Sequence, residues 1–68
     1  MYKEVSISVA ARAYARGEWV VFGTDELISE MTQSLVPISV RRARKRLIEL
    51  RQVFVGPKLF LKVEEKAE

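Results

Sequence analysis

Neither cysteine nor histidine occurs anywhere in this chain. Without cysteine there is no disulfide, no thiolate nucleophile and no thiolate-bound metal, which excludes a secreted disulfide scaffold and makes a cytoplasmic, intracellular protein the expectation. Without histidine, the usual general base near neutral pH and the commonest zinc ligand are both missing. Long apolar runs are lacking too. No stretch approaches the roughly 20 residues that span a bilayer, and Met1-Tyr2-Lys3-Glu4 lacks the basic start and apolar run of a signal peptide. Asp25, Glu26, Glu30, Tyr2, Tyr14 and scattered serines remain as reactive groups. They assemble no set of nucleophile, base and orienting group, so an enzyme is not expected, nor a metal, cofactor or small-molecule ligand.

What is present suffices for one small core. The 68 residues are 49% apolar and include Trp19, Phe22, Phe54 and Phe60, enough for a compact domain rather than a disordered tail. A single domain over residues 1–68 is expected, its core from about 8 to 63 and its last residues, 64–68, frayed. No internal repeat, low-complexity tract or linker divides it.

The net charge of +3 is spread unevenly. Residues 1–36 carry three basic and five acidic groups, whereas residues 37–68 carry nine basic and four acidic ones. Six of those nine fall between Arg41 and Arg51, and five of the six residues from Arg41 to Arg46 are basic. A solvated helix face ordinarily mixes signs to form i, i+4 pairs. A patch of one sign repels itself unless a polyanion relieves it.

Local patterns place this patch on a helix. Alanine-rich Val9 to Arg16 reads as a first helix, capped by Ser8 and closed at Gly17, with room for a short strand before Val9. Trp19-Val20-Val21-Phe22 reads as a strand whose Trp19 and Phe22 enter the core. Thr24 is the candidate cap of a second helix from about Asp25 to Gln33, in which Leu27, Ile28 and Met31 form an apolar stripe. Pro37 cannot continue that helix and suits the opening of another, which begins there or at Ser39. In this third helix Val40, Ala43, Leu47 and Leu50 line the buried face, Arg41, Arg42, Lys45 and Glu49 lie opposite, and Arg44 and Arg51 flank the stripe. Val53-Phe54-Val55 and Lys58 to Val63, joined at Gly56-Pro57, read as a hairpin that closes the sheet with Phe54, Val55, Leu59 and Leu61.

The order helix, strand, helix, tight turn, basic helix and hairpin resembles that of winged helix-turn-helix DNA-binding domains. Thr24-Asp25-Glu26-Leu27 looks like the opening of such a motif. Ser39-Val40-Arg41-Arg42-Ala43 followed by Leu47 is similar to the recognition helix of GntR-type and MarR-type regulators, and the likeness spans roughly residues 8–63. It departs from the pattern where Arg51-Gln52 replaces a usual glycine, where Arg44 replaces a common leucine, and in the short Gly56-Pro57 wing tip. The resemblance implies an α+β fold with a three-helix core, a small antiparallel sheet and a C-terminal wing.

It also implies binding of double-stranded DNA, with the basic helix in the major groove, by a small transcriptional regulator or accessory factor acting as a homodimer. Ser39, Arg41, Arg42 and Lys45 are the candidate groove contacts, with Arg41 or Arg42 suited to guanine. Lys45 and Arg46 suit phosphate, as do Lys58 and Lys62 on the hairpin and the backbone beside Thr24. Two rivals stand beside this reading. One is a protein-interaction module whose basic helix docks an acidic partner. The other is RNA binding, for which the sequence shows no exposed aromatic platform.

Overall fold

The computed structural model describes residues 1–24, 26–53 and 58–62. Its elements in chain order are β1 (Tyr2–Val5), α1 (Ile7–Ala15), β2 (Val20–Gly23), β3 (Ile28–Thr32), α2 (Val40–Val53) and β4 (Lys58–Lys62). The four strands form one antiparallel sheet in the order β1-β4-β2-β3. The fold is α+β, and its described helices number two.

α1 begins where Ser6, in extended conformation, accepts the Val9 N–H at 3.4 Å through its hydroxyl. The cap is thus Ser6 and not Ser8, because β1 runs to Val5 and leaves Ser6 as the residue between strand and helix. Ala10, Ala11, Tyr14 and Ala15 are buried against α2 and the sheet. The small alanine side chains let the two helices approach closely, and α1 packs most extensively on α2. At the far end Gly17 takes φ +84°, and its carbonyl accepts the Gln33 amide at 2.7 Å. Gly17→Ala should lower the free energy of unfolding by about 1–2 kcal/mol. The cause is the left-handed backbone and not a clash, since an added Cβ would sit 3.4 Å from the Ser34 carbonyl oxygen; a urea titration reads the shift.

The register assigns side chains to faces, because residues directly opposite in an antiparallel pair share one. Val5, Leu59 and Phe22 form one cross-strand row and join α1, Ala43 and Leu47 in the core. Both helices therefore cover the same face of the sheet. The adjacent row, Glu4, Phe60, Val21 and Met31, faces away from them.

Three expectations from the sequence are corrected. The second helix, expected over Asp25 to Gln33, is absent: Ile28–Thr32 is β3 at a sheet edge. The Thr24 signal was real but serves a turn. Its hydroxyl accepts the Leu27 N–H at 3.1 Å and its own N–H donates to the Leu27 carbonyl at 2.7 Å, an arrangement in which side-chain bonding substitutes for a helical start. The chain then reverses onto β-branched Val20 and Val21, which favour a pleated neighbour.

The second correction concerns the wing. α2 continues to Val53, the residues Phe54 to Pro57 lie outside the described ones, and β4 is no hairpin arm at the rim but a central strand between β1 and β2. Leu59 on β4 is buried and Leu61 packs against the same core, and β4 pairs with β1 on one side and β2 on the other. Third, Trp19 is not a core residue. It precedes β2 in phase with Val21, on the face away from the helices, and is 49% exposed. The sheet also starts at Tyr2, ahead of the core boundary expected near residue 8, while the tail at 64–68 lies outside the described residues. Among the described residues, no helix is long and apolar enough to cross a membrane.

Candidate nucleic-acid interface

The connection from Gln33 to Ser39 delivers α2 to its place. Ser34 Oγ donates to the Val36 carbonyl at 2.6 Å, and the Ile38 N–H reaches the Ala15 carbonyl at the end of α1 at 3.3 Å. Ser39 then caps α2: its hydroxyl accepts the Arg42 N–H at 3.2 Å, and its carbonyl accepts the Ala43 N–H at 2.9 Å. Of the two starts open in the sequence, Pro37 and Ser39, the helix uses the second.

Ala43 and Leu47 are fully buried and Leu50 packs on the core, whereas Val40, expected in the same stripe, is 47% exposed. Val40 is the first residue of the helix, one turn before Ala43. Arg41, Arg42, Arg44, Lys45, Arg46 and Arg51 are all exposed. No acidic residue occupies the first turn of α2, although the positive end of the helix dipole favours one there. Two arginines stand in that turn instead. Among the described residues, the single ion pair on this helix joins Arg46 to Glu49 at 3.9 Å. The result is a convex cationic ridge, dense at its N-terminal end, with its positive charge almost uncompensated.

No family model, curated protein or solved structure matches this chain. The candidate interface therefore stands on its own geometry.

That geometry divides the candidate residues into three groups. Ser39 caps α2, and Arg41, Arg42, Lys45 and Arg46 lie on it. Thr24 sits apart, in the turn bonded to Leu27. Lys58 and Lys62 lie on β4 in phase with Phe60, on the sheet face that the helices do not cover, and Lys58 meets Glu4 at 3.7 Å. They stand across the sheet from α2 and not beside it. Two exposed residues of the ridge were undervalued in the sequence. Arg44, beside the buried stripe, widens the cationic band, and Ile48, 42% exposed, places an apolar side chain on the same surface.

Proposed function

We propose that the chain binds double-stranded DNA by laying the N-terminal half of α2 into the major groove, as a small transcriptional regulator or accessory factor. The observation that carries this reading is the exposure of five cationic side chains within the first seven residues of one helix, opposed by a single acid. A B-DNA major groove admits an α-helix, and phosphates line both its edges. Arg41 and Arg42, in the first turn, reach base edges, while Lys45 and Arg46 meet phosphate.

A helix, a strand, the basic helix and a following strand occur in the order of the winged-helix resemblance, but β3 stands where that order has its second helix. Support for DNA binding therefore comes from α2 rather than from a helix-turn-helix or a wing. A single small module gives a limited interface, and a homodimer on adjacent half-sites supplies the missing affinity.

A gel shift with duplex DNA across a salt series tests the proposal. Neutralisation of four phosphates by Arg41, Arg42, Lys45 and Arg46 predicts a slope of log K against log salt of about −3.6. Absence of any shift at low salt overturns the reading and favours an acidic protein as the ridge's partner.

A further inference from the structure

The sheet face turned away from the two helices, which no described element covers, has a composition that the folding of the domain does not explain. One row across all four strands comprises Glu4, Phe60, Val21 and Met31, and the next places Lys62 opposite Tyr2, with Trp19 in phase on the other side. Phe60 and Val21 form a buried floor, while Tyr2 and Trp19 leave 37% and 49% of their surfaces exposed. At this end of the sheet a cleft of about 360 Å³ is lined by Tyr2, Glu18, Trp19, Met31, Leu61 and Lys62. Glu18 is engaged by Arg16, Nε to Oε2 at 2.7 Å, whereas Lys62 forms no ion pair with any described residue.

We infer that this cleft is a second nucleic-acid site, one that takes unpaired bases of a single strand by stacking on Tyr2 and Trp19, with a backbone phosphate at Lys62. Three features favour that occupant. Exposed rings offer π-faces to any base, and stacking of this kind tolerates sequence. The two rings flank the Lys62 strand from either side and stand two strand spacings apart, roughly 10 Å, so each is open to its own base while the cation lies between them. A second copy of the chain fits less well, since a two-fold interface centred here brings each Lys62 toward its symmetry mate. The site lies across the sheet from α2 and is independent of the duplex reading. Together the two surfaces equip one domain to hold a duplex and a neighbouring unpaired strand.

Trp19 is the only tryptophan and reports directly. Titration of the full chain with single-stranded oligothymidylate of about eight nucleotides should quench its fluorescence saturably, and Tyr2→Ala and Lys62→Ala should each weaken that binding by about tenfold. The variant Arg41→Ala/Arg42→Ala/Lys45→Ala should retain the quench, so the cleft is read separately from the ridge. Far-UV circular dichroism confirms folding; should Tyr2→Ala unfold, the exposed Lys62→Ala decides alone. The proposal is overturned by the absence of a quench, by unchanged affinity in the cleft variants, or by loss of the quench in the ridge variant. Sedimentation showing a dimer without oligonucleotide, dissociated by Lys62→Glu, overturns it as well and assigns the face to self-association.

Discussion

The triple substitution Arg41→Ala/Arg42→Ala/Lys45→Ala should reduce duplex affinity by at least about a hundredfold, since a lost base contact alone is worth about 1–3 kcal/mol and phosphate contacts go with it. The same variant should be as stable as the parent or more so. Arg41 and Lys45 stand at i, i+4 on α2, Arg42 and Arg46 likewise, and each like-charge pair destabilises a helix by about 0.2–0.5 kcal/mol. Arg41 and Arg42 also oppose the positive end of the dipole in the first turn, and alanine is the better helix former. Binding and thermal unfolding measured on one preparation separate the outcomes. A variant that loses affinity while keeping or raising its melting temperature shows that the cations serve a partner at a cost to the fold. A variant that loses both shows them to be structural, and the duplex reading goes with them.

The one-sided charge of α2 was legible because charge and helical period are both local properties of the chain. The spacing Val40, Ala43, Leu47, Leu50 indicated which side of the helix turns inward, and the structure buries Ala43 and Leu47 and packs Leu50, while Val40 stays half exposed. Gly17 as the left-handed residue after α1 was equally local. What escaped the sequence were choices made by distant partners. Leu27, Ile28 and Met31 satisfy a helical spacing, but Met31 lies opposite Val21 in a ladder, and a segment this short takes its conformation from the neighbour that pairs with it. Thr24 illustrates the ambiguity at one residue, because a hydroxyl bonded to the N–H three residues on is shared by helix caps and turns.

The strand order was illegible for a related reason. Lys58-Leu59-Phe60-Leu61-Lys62 announces a strand, but adjacency in sequence suggested a hairpin with Val53 to Val55, whereas the sheet inserts it between β1 and β2. With the misplaced strand went the faces of its residues. Lys58 and Lys62 left the expected wing, and Trp19, Tyr2 and Phe60 were brought into one surface that no run of neighbouring residues displays.

Leu47→Ala should have the largest effect on the fold, and for a reason that concerns the interface as well. Leu47 and Ala43 are the fully buried side chains of α2 among the described residues, so Leu47 supplies most of the apolar volume that fastens a 14-residue helix to α1 and the sheet. Truncation removes that contact and leaves a cavity that cannot collapse onto Ala43, which has no side chain to spare, at a cost of about 3 kcal/mol. A domain of this length has roughly 3–10 kcal/mol of stability, so the variant should melt many degrees lower and show non-native exchange along α2. Its duplex affinity should fall in step with the unfolded fraction and recover when folding is restored by low temperature or a stabilising osmolyte such as trimethylamine oxide. The ridge variant should show no such recovery, because its helix is intact and its charges are gone. If Leu47→Ala keeps the parent's stability, α2 is not anchored as described, and the assignment of its opposite side to DNA loses its foundation.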